Sequence, residues 1–556
     1  MERCNMDFIK DKTAKSVWGA LQNALSFAKN HMQIISFFFF FGVFFLHFQI
    51  GGGWGWWHHK SLIHDDGDYF SHACTIALDQ DFDYSNEASM FTYKARQGLP
   101  SNPVGPGLLA APFVKLFSYV DMLKGHPFLE DRLQFYGSWT YFGFGFATSF
   151  YFMWGCYLFW LMSQRLGSKL SKQSILLLCF GSGVVHYVLF RQTMAHSYEF
   201  FTLALALYSG VGLATSSRNQ LRWILLGAFG ATLSWLSRYY AIYGFAYPVI
   251  GFLVVMLKNR LSFNKKREAC YAASYAAALV FFVGLACLLQ YQLYGKPMQS
   301  LASYGNTLSY LPEYHSFFQW SSEVLMRAIT RLHYIPITWF GSAFPIVIFA
   351  PILFFGIIML FIALWRIRKN NMLVFVTVVL LSLACVGIPY LIVMMWQMAG
   401  SAYGYRYLYG LIPLGMLGAC LWNTLGFETQ KLGRGFAIGL LVASLYATFV
   451  PLSFTTLNTL ANDEPLNEFG VLEPGNPSGI AFKTLDHLFR AKMWGRAVNF
   501  SYAGMHSAIS AGGPVPYHPN LQAQAQVLII FWGTYLAWFF IGNKKRIYAS
   551  KGDLNA

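Results

Sequence analysis

Charge is scarce in this sequence. Only 12% of its 556 residues are charged, about half the ~25% usual for a soluble domain. That shortage excludes the string of soluble domains that the length alone would allow. Acidic residues are the scarcer sign, 24 Asp+Glu against 40 Lys+Arg. No basic cluster with interleaved aromatics accompanies the excess, so nucleic acid is set aside as a partner. In an apolar chain the excess reads as the cytoplasmic bias of Lys and Arg in membrane proteins. Cysteine is sparse too, with eight in the chain. Only Cys74 falls in an outer connection on the topology derived below, so no intramolecular disulfide is expected there. A cleavable leader is also lacking. The first apolar run follows residues 1–32 and leads into Gly51-Gly52-Gly53-Trp54 rather than a small-residue cleavage site, so it reads as a retained first helix. No internal repeat is evident.

Hydrophobic residues are abundant, at 56%, and 19% of the chain is aromatic. A spanning helix needs about 20 mostly apolar residues. Segments of that kind are 33–50, 136–162, 174–190, 198–214, 221–237, 239–257, 271–293, 334–364, 372–396, 407–425, 436–452 and 525–542. The expected fold is therefore an all-α integral membrane protein with about twelve transmembrane helices. Two stretches read less cleanly. The pair flanking Arg238 leaves almost no turn, and 334–364 contains Pro336, Pro345 and Pro351, which kink or interrupt a helix.

The connections carry an alternating charge pattern. Arg165/Lys169/Lys172, Arg218, Lys258/Arg260/Lys265/Lys266/Arg267, Arg366/Arg368/Lys369 and Lys431/Arg434 fall on one side. The short connections opposite hold Arg191, Arg238 and Arg406, one each. This places both termini in the cytoplasm. Residues 1–32 form a cytoplasmic segment, 33–542 the transmembrane domain, and 543–556 a basic cytoplasmic tail. Three outer connections are long, 51–135, 294–333 and 453–524. They are expected to form short helices capping the bundle.

The first long connection holds His64-Asp65-Asp66-Gly67-Asp68-Tyr69-Phe70-Ser71-His72, just beyond the interfacial residues Trp54, Trp56 and Trp57. Adjacent carboxylates repel unless a cation, donors or a substrate compensate. Such a pair can accept or orient a hydroxyl proton; the alternative is a solvated loop in which one Asp caps a following helix. Arg191, Arg238 and Arg406 each sit at the outer end of a span among apolar or aromatic neighbours. Arginine's planar fork matches phosphate oxygens, so three at interface depth point to a lipid-phosphate head group, with snorkelling as the bland alternative. His196 and Glu199, three apart at a helix start, share a face. They bind sugar hydroxyls or are simply satisfied at the interface. The run Asp79-Gln80-Asp81-Phe82-Asp83, followed by Asn86 and Glu87, lacks the glycine of a calcium loop and reads as a polar turn. His58-His59 and His64 have no cysteine pair or helical His-Glu-x-x-His arrangement beside them to make a zinc site.

The acidic pair after the first span resembles the acidic motif of the GT-C superfamily of integral-membrane glycosyltransferases, which includes protein O-mannosyltransferases, the lipid A aminoarabinose transferase and mycobacterial arabinosyltransferases. Asn102-Pro103-Val104-Gly105-Pro106-Gly107, Met194-Ala195-His196-Ser197-Tyr198-Glu199-Phe200-Phe201, Tyr294-Gly295-Lys296-Pro297 and Tyr403-Gly404-Tyr405-Arg406-Tyr407-Leu408 are similar to pieces of bacterial members. Unlike some relatives, this chain has no large soluble C-terminal domain. The resemblance implies transfer of a sugar from a polyprenyl-phosphate donor to an acceptor hydroxyl of a glycan, lipid or protein. Transfer would occur on the non-cytoplasmic face of a bacterial inner membrane, with inversion. It further implies that one of Asp65 and Asp66 is the general base and the other a supporting carboxylate or ligand of a divalent cation (Mg, Mn or Ca). Arg238 and Arg406, then Arg191 and Lys296, are expected at the donor phosphate. His64, Asp68, His72, Asn102, His196, Glu199 and Tyr405 are expected around the substrates.

Two rival classes are weighed against this. A transporter or flippase needs ionisable residues at mid-span, and the expected spans are almost free of them. An O-antigen polymerase or ligase also has many spans and outer arginines, but gives Asp65-Asp66 no task.

Overall fold

The computed structural model describes residues 65–85, 87, 100, 102–125, 138–189, 194–216, 218–261, 264–295, 326, 329, 346–395 and 406–453. The spans expected at 33–50 and 525–542, and the long connections 294–333 and 453–524, lie largely or wholly outside them. The described residues fold into helices and turns, with no strand among them.

The chain runs through α1 (Asp65–Cys74), α2 (Gly105–Leu123), α3 (Trp139–Arg165), α4 (Lys172–Phe180), α5 (Val184–Leu189), α6 (His196–Thr215), α7 (Gln220–Ser237), α8 (Tyr247–Asn259) and α9 (Lys265–Tyr294). After a short helix and a π-turn, α10 (Ile357–Ile367), α11 (Met372–Met395), α12 (Ile412–Thr424) and α13 (Lys431–Ser453) follow. Some of the described helix starts carry a side-chain cap. Ser138 accepts from the Tyr141 N–H, Ser171 from Ser174 and Asn264 from Arg267.

Among the described residues, four helical segments are long and apolar enough to cross a membrane: Gly105–Leu123, Ala241–Asn259, Lys265–Tyr294 and Met372–Leu391. The first was expected to be part of a cap of short helices. It is instead one helix of 19 residues, apolar enough to span because Lys115 and Asp121 are its only charged side chains. Conversely, the span expected over 174–190 is broken into α4 and α5 at Gly181–Gly183; Gly183 takes a φ of 84°, which glycine adopts without strain. In the expected span 334–364, described from residue 346, Ile352–Gly356 forms a π-turn directly after Pro351.

Helix α6 is central and packs on α3, α7 and α8. Close approach depends on its small residues. A Cβ added at Gly210 would strike the Pro248 carbonyl of α8. Such buried Gly, Ser and Thr positions lower the hydropathy of α6 and α7 without shortening them. Helix α9 leans on α7 and turns Val280, Phe281 and Leu288 outward, 75%, 60% and 62% exposed. An apolar helix surface of that kind suits lipid. At 30 residues α9 is about 45 Å long, enough to link the two ends of the bundle.

Candidate active site

Asp65 and Asp66 open α1. The first N–H groups of a helix lack intrahelical partners and its dipole favours negative charge there, so the turn suits both carboxylates. One turn on, Asp68 is buried, 4% exposed. Its Oδ2 accepts from the backbone N of Asn102 at 3.0 Å and from Asn102 Nδ2 at 2.9 Å. The next turn presents His72, fully buried. Its Nε2 lies 3.0 Å from the Asn102 carbonyl and its Nδ1 2.7 Å from the Tyr84 hydroxyl. A carbonyl only accepts, so Nε2 carries the proton and Nδ1 accepts from Tyr84. Burial pushes the His72 pKa down to about 4, partly opposed by the bond to Asn102. Burial likewise raises that of Tyr84. Tyr294, at the end of α9, donates to the same Asn102 carbonyl at 3.4 Å.

This network explains the residues around Asn102. A Cβ at Gly107 would run into His72, and one at Gly105 into the Leu236 carbonyl and the Ser237 nitrogen of α7. Glycine here lets one segment touch α1 on one side and the end of α7 on the other. Tyr84, Val104, Leu236 and Leu293 seal the junction with a small apolar cluster.

The end of α7 carries Arg238, an extended residue (φ −151°, ψ 114°) that is 5% exposed. This is the tight connection expected between two spans. Its Nη2 lies 2.7 and 2.8 Å from the two ring nitrogens of His196. Its Nε faces Glu199 Oε2 at 3.5 Å. The other Glu199 oxygen accepts from Tyr243 at 2.8 Å. An imidazole that accepts from a guanidinium does so through an unprotonated nitrogen. Tyr187 covers the His196 ring at a centroid distance of 4.1 Å. The guanidinium lies 5.3 Å from the Tyr240 ring and 5.8 Å from that of Tyr407, within reach of a cation–π attraction. His196 and Glu199 thus share a face as expected, turned to Arg238.

Arg406 begins the 3₁₀ turn Arg406–Leu411, which brings Tyr407 to 5.7 Å from Tyr240 and so reaches the surroundings of Arg238. His64, Arg191, Lys296 and Tyr405 lie outside the described residues, as do the side chains of Asp65, Asp66 and Arg406. The acidic run after α1 is a polar turn. Asp81 Oδ1 accepts from the Asp83 N–H at 3.1 Å, and Asp83 Oδ1 from that of Ser85 at 2.9 Å. Among the described residues no three His, Cys, Asp or Glu side chains converge as a metal site.

Tyr84, Tyr243 and Tyr294 were not singled out as partners in the sequence, and neither was Asp121. Asp121 is 4% exposed; it accepts from the backbone N–H groups of Trp139 and Thr140 at 2.8 and 2.7 Å, tying the end of α2 to the start of α3. The signal for Tyr294 was its place in Tyr-Gly-Lys-Pro at the end of an apolar run; Tyr84 and Asp121 carry none.

No protein-family model matches the sequence, and no curated protein matches it. The structure is similar to that of the archaeal oligosaccharyltransferase AglB from Archaeoglobus fulgidus, solved in complex with an inhibitory peptide and a dolichol-phosphate. The TM-score is 0.43 and the identity 12%, over 76% of this chain and 55% of that one. The apo form of the Archaeoglobus fulgidus oligosaccharyltransferase gives 0.40 and 11%, over 76% and 55%. The chain therefore spans little more than half the length of the solved structures it matches.

Proposed function

We propose that this protein is an integral-membrane glycosyltransferase that moves a sugar from a polyprenyl-phosphate donor to an acceptor hydroxyl on the non-cytoplasmic face. The observation that carries the reading is the packing of the acidic start of α1, through Asn102 and Gly105, against the end of α7 that bears Arg238. The helix start that bears the candidate base and the residue proposed as the phosphate-binding cation belong to the same end of the bundle.

In this mechanism one carboxylate of Asp65 and Asp66 takes the proton of the acceptor hydroxyl, and the other supports it. The oxygen attacks the anomeric carbon from the face opposite the phosphate, the bond to the phosphate oxygen breaks, and configuration inverts. Polyprenyl phosphate leaves with an added negative charge. Cations at its oxygens therefore stabilise the transition state more than the ground state. Arg238 and Arg406 take this role, with Arg191 and Lys296 as further candidates for it. Glu199 and His196 fix the Arg238 guanidinium, and the donor phosphate shares it with Glu199. Asp68, His72 and Asn102 position α1, while His64 and Tyr405 face the substrates. A divalent cation at the second carboxylate would add charge stabilisation of the same kind.

The test is release of polyprenyl phosphate by the purified full chain, given a panel of polyprenyl-phosphate sugars with membrane-extracted acceptors. The proposal expects release with at least one donor, dependent on the acceptor. Transport of the intact donor across a vesicle without bond cleavage would overturn it.

A further inference from the structure

The far end of the same helices holds a cavity that the proposed reaction does not use. It has a volume of about 350 Å³ and lies between α6, α7, α8 and α9, lined among others by Leu213, Trp223, Ile224 and Phe252. That volume lies within the roughly 300–1,000 Å³ of ligand pockets. Leu213 stands 17 residues along α6 from His196, or about 25 Å at the rise of a helix. The cavity and the Arg238 cluster therefore occupy opposite ends of the bundle.

Its two charged lining residues, Lys265 and Glu268, belong to the start of α9. Glu268 is 7% exposed. One carboxylate oxygen, Oε1, accepts from Arg267 Nη2 at 2.6 Å. The other, Oε2, is buried and accepts no hydrogen bond among the described residues. Helix capping does not account for it. Asn264 is the cap of α9, accepting from the Arg267 N–H at 3.2 Å, and Glu268 lies one position beyond the site from which a capping-box glutamate reaches back. A buried carboxylate oxygen without a donor is costly. Its natural complement is an N–H cation.

We propose that this cavity binds one aminophospholipid of the bilayer. An acyl chain occupies the apolar space, the primary ammonium of the head group donates to Glu268 Oε2, and the phosphate lies against Lys265. The pairing of one acid with one base at the mouth matches a zwitterionic head. The need for an N–H donor selects a primary ammonium over a quaternary one, which has no N–H to give.

The inference stands on residues apart from the proposed active site and is tested without any transfer assay. The full chain, purified in detergent and stripped of lipid, is titrated separately with phosphatidylethanolamine, phosphatidylcholine and phosphatidylglycerol of identical chains. Bound lipid is counted by native mass spectrometry. The ethanolamine lipid should bind roughly tenfold or more tightly than the choline lipid, the scale of one charge-assisted hydrogen bond. Glu268→Gln should bring the two to parity. Ala272→Trp, at an exposed lining position, should fill the cavity and abolish retention of the ethanolamine lipid while thermal unfolding without lipid stays unchanged. Equal binding of ethanolamine and choline lipids by the parent would overturn the proposal. So would tightest binding of phosphatidylglycerol, which would make the site a basic patch for anionic lipid, or a preference that survives Glu268→Gln.

Discussion

Asp68 and Asn102, 34 residues apart, are joined twice: one carboxylate oxygen accepts both the backbone and the side-chain N–H of Asn102. The Asn102 carbonyl is in turn held by His72 and Tyr294. One asparagine thereby fastens the helix that begins with Asp65 and Asp66 to the end of the bundle. Asn102→Ala keeps the backbone bond and loses the side-chain bond to a buried charge, at a cost of about 1.5–3 kcal/mol. Its melting temperature in detergent should fall by several degrees, with activity falling at lower temperature than in the parent. An unchanged melting curve would mean that the junction is not what fixes α1.

His72 gives the junction a pH dependence. Its pKa when folded is pushed down to about 4 by burial, from an ordinary 6.5. Between those values the unfolded chain binds a proton that the folded chain refuses, so stability is full above about pH 6.5 and is lost as pH falls toward 4. The loss approaches about 3 kcal/mol at the acid end. Melting temperatures measured from pH 8 to pH 4 should decline below 6.5 in the parent, and the decline should be shallower in His72→Gln. Parallel curves would remove His72 from that account.

The Arg238–Glu199 pair is predicted to be more than a lipid-facing contact. Both side chains are buried, at 6% and 1% exposure, and removing one member of a buried pair strands the other's charge, at about 3–5 kcal/mol. Arg238→Ala should therefore destabilise the protein and weaken polyprenyl-phosphate binding. Glu199→Gln should destabilise less, because the amide oxygen can still accept from Tyr243, and should leave lipid binding largely intact. Arg238→Lys keeps the charge without the fork and should retain part of both. If Arg238→Ala bound polyprenyl phosphate like the parent, the guanidinium would have a purely structural role.

Topology gives a fourth prediction. A reporter active only outside the cytoplasm should work when fused within 51–104, before the helix Gly105–Leu123, or within 294–333, and fail within 258–270. A cytoplasmic signal from 51–104 would put the acidic pair on the wrong side for the proposed donor.

Much of this was legible in the sequence. Apolar runs foretold α3, α7, α9 and α11, and the crowding at Arg238 foretold a connection with almost no turn. The acidic residues of α1, His196 and Glu199 were picked out by type and position, and Asn102 through the resemblance of the stretch that begins with it. Their partners were not. A single sequence shows periodicity along one helix, whereas His72 meets Tyr294 across 222 residues and Glu199 meets Tyr243 across 44. The helix Gly105–Leu123 was expected only as a short helix of the cap, because its Pro- and Gly-rich start looks like a loop, when those glycines serve close packing. The cavity at Glu268 was invisible for the same reason: it exists only where four helices fail to meet.

The central claim is that the acidic pair at the start of α1 performs the proton transfer of a sugar-transfer reaction. Asp65→Asn and Asp66→Asn keep size and most hydrogen bonding while removing the charge. The decisive measurement is the turnover of each variant beside the parent, with a polyprenyl-phosphate sugar that the parent uses, at matched protein levels and melting temperatures. At least one variant should lose roughly two or more orders of magnitude in turnover while binding polyprenyl phosphate as the parent does. Full turnover in both variants would contradict the account.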